Sequence, residues 1–340
     1  MKTRTFSAFV APSLVMMLVF IAAPLVYVFW QSFYLTTPVT EQVTVETCTP
    51  GFLTQTCTQE TRSQPKLDCA GQIVTETRFV GLQSYAAILE PAKARAAVAA
   101  LDYRALMAVD FWRALRFTLM FTFVTLPLVL ALGLAVALAV NNTAKSLRGP
   151  VIFVSLLPFI ITPVIGALAI RWLFVGDGLL THGLEWLLGR PVSMFSQGWT
   201  IEILMMFYRV WHVAPFAFII LYAGLQTLNQ DAIEAAMIDG ASRWQRLRYV
   251  IVPHLMPLIV FVALIHLMDA YRVFDEVVGF RADAYVISLQ YLTYDFLIPD
   301  STGNRSISRA AASSMLTMIG IVILLIPLLR RTWAQHRASR

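Results

Sequence analysis

The sequence predicts an all-α integral membrane protein, a helical bundle with six transmembrane helices. Its 340 residues are 58% hydrophobic and only 14% charged, with a mean hydropathy of +0.68. A soluble domain is about 45–50% apolar and about 25% charged. The sequence also contains six apolar runs, each close to the roughly 20 residues that a helix needs to cross a bilayer.

The first apolar run, Phe6 to Phe33, follows Lys2 and Arg4. A secretory signal peptide has the same polarity, but its apolar core is only about 7–15 residues long. This run is longer, and no clear small-x-small cleavage site lies near its end. We therefore expect residues 1–33 to form an uncleaved N-terminal transmembrane helix.

Residues 34–112 are polar and are expected to form an extracytoplasmic loop. All three cysteines, Cys48, Cys57 and Cys69, lie in its first part, which we interpret as an insertion. An oxidising compartment permits one disulfide and leaves one thiol over, and the sequence does not show which pair forms. No histidine lies nearby, so a structural disulfide is favoured over a metal site. The Ala- and Leu-rich stretch from Pro91 to Met107 predicts a helix.

The membrane core is expected at residues 113–330, followed by a cytoplasmic tail at 331–340. Apolar runs at about 114–140, 151–174, 201–225, 255–278 and 308–329 supply the other five spans. Basic residues follow the second, fourth and sixth spans, whereas the short loop at 175–200 has only Arg190. Under the positive-inside rule, both termini and the polar segment between the fourth and fifth spans are cytoplasmic.

That polar segment, residues 229–253, has a distinct internal design. Asp231 with Glu234 three residues later, and Ser242 with Gln245, each read as a capping box that opens a short helix. Gly240 is a plausible residue just past the end of the first helix. We expect two short helices joined at Ala241, which form a compact knob between two spans.

The same segment resembles the EAA loop of ABC-importer permeases. The resemblance rests on Glu234-Ala235-Ala236, on Gly240 and on Val250-Ile-Val-Pro253, where the family usually has Ile-x-Leu-Pro. Arg209 to Phe216 and Ala223 to Gln226 look like the carbohydrate-uptake branch, the maltose and glycerol-phosphate type. Phe79 to Tyr85 is similar to the element that precedes the core in that branch.

The resemblance implies a type I importer permease (MetI-like) fold in a bacterial inner membrane. It implies half of a translocation path for a sugar, which would be a di- or oligosaccharide, a glycoside or a glycerol derivative. The implied partners are a second homologous permease subunit, two cytoplasmic ATPase subunits and an extracytoplasmic solute-binding protein. The residues implied to couple to the ATPase are Glu234, Ala235, Ala236, Asp239 and Gly240. The chain has no G-x-x-x-x-G-K-[ST] sequence, so ATP and Mg are expected on the partner ATPase subunits, with no cofactor in this chain.

Two clusters of polar residues lie within predicted spans, where a charged side chain is a functional hypothesis by default. The fourth span carries Arg209, His212, Val213 and Phe216 on one helix face, and the fifth carries Met268, Asp269 and Arg272. By resemblance these residues bind sugar. The alternatives are that Asp269 pairs with Arg272 and that His212 makes only an interhelical hydrogen bond.

Other function classes fit the sequence less well. No Ser-His-Asp or Cys-His order has the flanking glycines of a catalytic motif, and the histidines lack metal-ligand spacing, so we expect neither an enzyme nor a metal site. The net charge of +6 does not indicate nucleic acid, because the basic residues lie at the ends of apolar runs. An ion-gradient-driven transporter, with Asp269, Arg272 and His212 as a proton relay, is the alternative. Such transporters usually show internal repeats, which this sequence lacks.

Overall fold

Helices make up most of the protein. The structure is a computed structural model that describes residues 3–50, 55–69, 71, 74–176, 178–299 and 305–338. The first two residues of the predicted N-terminal helix and the last two of the predicted C-terminal tail therefore lie outside the described residues. The helices, in chain order, are α1 Thr3–Met17, α2 Ala23–Gln31, α3 Gln83–Leu89, α4 Pro91–Ala99, α5 Tyr103–Met107, α6 Asp110–Asn141, α7 Lys145–Ile160, α8 Pro163–Phe174, α9 Leu179–Leu188, α10 Gly198–Gln226, α11 Gln230–Ile238, α12 Arg243–Arg246, α13 Val252–Tyr271, α14 Asp275–Gly279, α15 Leu289–Asp295 and α16 Ile307–Ala338. Two π-helical turns, Leu18–Ala22 and Leu247–Ile251, join α1 to α2 and α12 to α13.

Five helices in the described residues are long and apolar enough to cross a membrane. They are Phe9–Gln31, Asp110–Asn141, Gly198–Gln226, Arg243–Tyr271 and Ile307–Pro327. A sixth candidate span is the pair α7 and α8, which meet at an angle of 93°. The predicted fifth span was too long, since its helix ends at Tyr271 rather than near residue 278.

The straight span predicted at 151–174 is wrong, because the chain breaks between α7 and α8. Ile161 and Thr162 have extended backbone, with ψ angles of 134° and 130°, directly before Pro163. A proline disfavours the helical conformation of the residue that precedes it. Its missing N–H is tolerated at the first position of α8. The proline therefore ends one helix and begins the next within the apolar run.

One compact unit comprises residues 1–109 and 292–318. The all-α prediction is incomplete here, because this unit contains two antiparallel two-stranded sheets. Strand β1 (Tyr34–Pro38) pairs with β4 (Thr75–Phe79), and β2 (Thr40–Pro50) pairs with β3 (Gln55–Pro65). The strands are rich in threonine, whose branched side chain fits a pleated surface.

The segment predicted as an insertion, residues 34–78, contains the β2–β3 hairpin, which holds two of the three cysteines. The backbones of Cys48 and Cys57 are direct partners in its register, and Cys69 is free and exposed. The helix predicted at 91–107 is broken into α4 and α5. Asp102 accepts hydrogen bonds from the backbone N–H groups of Arg104 and Ala105, at 2.9 and 3.1 Å, and so starts α5 anew.

The second compact unit comprises residues 110–291 and 319–340, and it contains the candidate site. Within it α10 packs closely along α6. A Cβ atom added at Gly133 of α6 would lie 2.6 Å from the Cβ of Ala217 and 2.9 Å from the backbone N of Phe218. Only glycine therefore permits this approach. The same packing fixes the side of α10 that faces α13 and α14.

Candidate functional site

The EAA loop, residues 229–253, begins with a cap that differs from the one predicted. The side chain of Asn229 accepts a hydrogen bond from the backbone N–H of Asp231 at 2.9 Å. Asparagine is a preferred N-cap residue, since its side-chain oxygen satisfies a free N–H of the first turn. The predicted capping box of Asp231 and Glu234 is therefore wrong. Asp231 lies inside the first turn of α11, where a negative charge suits the helix dipole.

The rest of the EAA loop follows the predicted design. Helix α11 ends in a left-handed residue at Gly240, with φ +76°, and the N–H of Ala241 reaches back to the carbonyl of Ala236 at 2.9 Å. The capping box of Ser242 and Gln245 is present in both directions, with distances of 3.3 and 2.7 Å. These bonds hold the two short helices in one defined arrangement.

The EAA loop presents apolar side chains to its surroundings. The side chain of Ile238 is 86% exposed, and Met237 and Trp244 are also exposed. Among the predicted coupling residues, Glu234, Ala235, Asp239 and Gly240 are exposed and Ala236 is half-buried. A group of exposed apolar side chains on a polar knob is typical of a protein–protein contact surface.

Inside the bundle, Arg209 of α10 forms a charge cluster with Asp269 of α13 and Glu276 of α14. The guanidinium of Arg209 is buried and donates from Nη1 to Oε1 of Glu276 at 2.7 Å, and from Nη2 to Asp269. Asp269 therefore pairs with Arg209, and the alternative pairing with Arg272 is wrong. The exposed side chain of Arg272 donates instead to the carbonyl of Met268, at 3.3 Å, where α13 ends.

The two carboxylates of the charge cluster differ in exposure. The side chain of Glu276 is 1% exposed, whereas that of Asp269 is 56% exposed. Glu276 thus compensates the buried arginine, and Asp269 presents an oxygen to the space beside α13. Asp275, which follows the end of the span, has its pKa raised by burial and then by the charge of Glu276.

The sequence analysis did not single out Glu276. The sequence did contain a signal for it. Glu276 is a second carboxylate directly after Asp275, near the end of the apolar run at 255–278, which also contains Arg272. The sequence analysis also missed the pair of His266 and Thr125. Both residues are buried, and the Nε2 atom of His266 lies 3.0 Å from the Oγ1 atom of Thr125.

The side chain of His212 lies against the break between α7 and α8. Its Nε2 donates to the carbonyl of Ile161 at 2.9 Å, and the hydroxyl of Tyr208 donates to the carbonyl of Pro163 at 2.7 Å. A carbonyl that a broken helix leaves free inside a membrane needs such a partner. His212 therefore makes the interhelical hydrogen bond that the sequence left open as an alternative.

The remaining predicted residues, on α10 and α13, have different surroundings. Phe216 stacks on Phe159 of α7 with ring centroids 5.8 Å apart. Val213 is buried in an apolar cluster with α6. Met268 is 42% exposed and directly precedes the exposed Asp269 on α13.

Residues 97–336 match the family of the binding-protein-dependent transport system inner membrane component. The chain belongs to this family. Over 203 residues it is 32% identical to the trehalose/maltose transport system permease protein MalF of Thermococcus litoralis, which covers 59% of this chain and 63% of that protein. Over 207 residues it is 31% identical to the trehalose transport system permease protein SugA of Mycobacterium tuberculosis H37Rv, covering 59% of each chain. The match thus spans under two thirds of each of these relatives.

The fold of this family member agrees with a solved structure over nearly its whole length. A bacterial ABC transporter involved in the import of the acidic polysaccharide alginate superposes with a TM-score of 0.65 at 18% identity, covering 99% of this chain and 96% of the other. The predictions of the family and of the importer-permease fold are confirmed. The chain is a multi-pass membrane protein.

Proposed function

We propose that this family member is the transmembrane permease subunit of a binding-protein-dependent ABC importer and forms half of the path for a sugar. The observation that carries the proposal is one continuous helix of 29 residues, Arg243–Tyr271. It begins in the EAA loop and ends beside Asp269. At 1.5 Å per residue it spans about 43 Å, which is enough to join an ATPase on one side of the membrane to a site within it.

Coupling in this proposal depends on the rigidity of the EAA loop. Glu234, Ala235, Ala236, Asp239 and Gly240 contact a groove of the ATPase, and the exposed Ile238 supplies apolar contact area. Because α12 continues through the π-helical turn into α13, a displacement of the knob moves the span. The ion pairs of Arg209 then connect α13 and α14 to α10.

The partners follow from the same proposal. A second homologous permease subunit supplies the other half of the path, and two cytoplasmic ATPase subunits bind ATP and Mg. An extracytoplasmic solute-binding protein delivers the substrate. The alginate transporter also has a structure in complex with an alginate pentasaccharide-bound periplasmic protein. With both termini and the EAA loop in the cytoplasm of a bacterial cell, the basic residues after the second, fourth and sixth spans obey the positive-inside rule.

The substrate side of the proposed site is the exposed face of α13. Asp269 can accept hydrogen bonds from sugar hydroxyls, Arg272 can donate them, and Met268 offers an apolar surface. Arg209 holds Asp269 in place, while His212, Val213 and Phe216 shape the wall of the path. The proposed substrate class is a di- or oligosaccharide, a glycoside or a glycerol derivative. The names of the relatives, which include a lactose transport system permease protein of Rhizobium radiobacter, support the disaccharides of this class.

A pull-down tests the proposal. A tagged chain is expressed with its neighbouring genes and compared with a Glu234→Lys, Gly240→Trp double variant. We expect an ATPase to co-purify with the wild type and to be lost from the variant. A charge reversal at the exposed Asp283, outside the EAA loop, is the matched control and should retain the ATPase.

Single variants and an uncoupler sharpen this test. Gly240→Trp should leave the chain in the membrane and abolish substrate-stimulated ATP hydrolysis in the assembled complex. Near-normal stimulation would refute the docking role. If no ATPase appears with any form and uptake stops when the proton gradient is collapsed, the chain is an ion-driven transporter instead.

A further inference from the structure

A cleft of about 840 Å³ lies between the EAA loop and the ends of α6 and α10, and the exposed Ile238 is not among the residues that line it. Its walls come from the last turns of α6 and α10, from α11 and from the start of the helix that leads into α13. Polar lining includes Asn141, Arg243 and Arg246, and apolar lining includes Leu225, Trp244 and Ile251. The proposed function does not use this cleft.

The cleft is positively charged. Arg243 and Arg246 both line it, and none of its lining residues is acidic. The Nε of Arg246 is covered from water, yet it has no hydrogen-bond acceptor among the residues that the structure describes. A covered guanidinium nitrogen without an acceptor favours an anion that supplies one.

The depth of the cleft indicates the source of that anion. Two long apolar helices, α6 and α10, end at the cleft, and a third span begins there. The ends of these spans therefore place the cleft at the level of lipid headgroups, and its lining combines leucine and isoleucine side chains with a tryptophan. Tryptophan is enriched at this level of membranes, and basic pockets between transmembrane helices bind anionic headgroups.

A neighbouring arginine is already engaged. Arg148 donates to the backbone carbonyls of Asn141 and Thr143, at 2.8 and 3.0 Å. The amide of Asn141 in turn accepts from Gln226 at 3.0 Å. These bonds fix the wall formed by the end of α6 and leave Arg243 and Arg246 as the cationic groups of the cleft.

We propose that this cleft binds the phosphate headgroup of an anionic phospholipid, with Arg243 and Arg246 as its ligands. Bound there, the lipid fills the space between the EAA loop and the ends of α6 and α10. The headgroup therefore stabilises the position of the knob relative to these spans.

The test uses the assembled transporter, or the chain alone if no ATPase assembles with it. Protein in nanodiscs of phosphatidylcholine with added phosphatidylglycerol is extracted in mild detergent, and retained lipid is measured by native mass spectrometry. The wild type should retain phosphatidylglycerol in preference to phosphatidylcholine. At about 1 kcal/mol for each basic residue, Arg243→Gln with Arg246→Gln should weaken this binding about 30-fold.

Arg248→Gln is the matched control, because Arg248 is exposed on the same segment and does not line the cleft. It should retain the lipid as the wild type does. Equal loss in both variants would indicate general surface charge and overturn the proposal. Equal retention of the two lipids by the wild type would also overturn it, and that outcome does not depend on the variants folding. Crosslinks from the cleft to an ATPase subunit, with no lipid retained, would show that protein fills it.

Discussion

The charge cluster of Arg209, Asp269 and Glu276 and the EAA loop are both polar features next to apolar spans, but they are stabilised differently. Each charge in the cluster is paired with a residue of another helix, and the side chains of Arg209 and Glu276 are only 5% and 1% exposed. The EAA loop is held by hydrogen bonds within a few residues of one another, from Asn229 to Gln245. Its apolar side chains Met237 and Ile238 are exposed.

In the EAA loop, stability and function therefore depend on different residues. In the charge cluster, they depend on the same residues. A change at the exposed Ile238 of the EAA loop removes little buried surface within the chain, so its effect should appear in partner binding. A change in the charge cluster leaves another charge unpaired in an apolar surrounding, so its effect should appear in folding as well. Within the cluster, Asp269 is the exception because its side chain is 56% exposed.

The largest effect is expected for Glu276→Ala. It leaves Arg209 buried with only the exposed Asp269 as a partner, and breaking a buried ion pair costs about 3–5 kcal/mol. The amount of protein in the membrane and the midpoint temperature of thermal unfolding in detergent should both fall sharply. Asp269→Ala, which keeps the pair of Arg209 and Glu276, should lower them much less. Equal losses from the two variants would contradict the assignment of Glu276 as the main counter-charge.

Asp269→Ala should weaken uptake more than it lowers membrane abundance. A hydrogen bond to a charged group contributes about 1.5–3 kcal/mol, so the apparent affinity for the sugar should fall about tenfold or more. Uptake of labelled substrate, normalised to the amount of permease in the membrane, measures this. If abundance fell in proportion to uptake, Asp269 would be a structural residue.

The fold was largely predictable because the bilayer sets the length and composition of a span. The runs at 114–140 and 201–225 match α6 and α10 closely, because each forms one unbroken helix even though Pro127 and Pro215 lie within them. The break before Pro163 was missed because apolar composition continues across it. The β2–β3 hairpin was missed because its alternation of threonine with polar residues is a weak signal beside six apolar runs.

In the candidate site, bonds between residues close in sequence were predictable, and bonds between residues distant in sequence were not. The box of Ser242 with Gln245 was predictable because its bonds join residues three positions apart. The pairs of Arg209 with Asp269 and with Glu276 join residues 60 and 67 positions apart. Asp269 forms its ion pair with Arg209 and not with Arg272, which is nearer in sequence. This choice depends on how α13 and α14 pack against α10.

Two substitutions of Gly240 separate conformation from size in the EAA loop. Gly240 has φ +76°, and no atom lies within 4 Å of a Cβ built there, so space is not limiting. A left-handed conformation costs an ordinary residue about 1–2 kcal/mol, whereas asparagine tolerates it. Gly240→Val should therefore reduce substrate-stimulated ATP hydrolysis, and Gly240→Asn should retain most of it. Equal activity of the two variants would show that the turn does not require this backbone conformation.

The smallest effect is expected for Ser242→Ala. Loss of an N-cap costs about 1 kcal/mol, and here it should affect only the start of α12, because both bonds of the box lie between Ser242 and Gln245. Hydrogen exchange should be faster at the amide of Gln245 and unchanged in the span that carries Asp269. Ser242→Asp, which keeps an acceptor at the cap, should restore protection. If Ser242→Ala also increased exchange within α13, the EAA loop and the span would unfold as one unit, and the local stability argued for the loop would not hold.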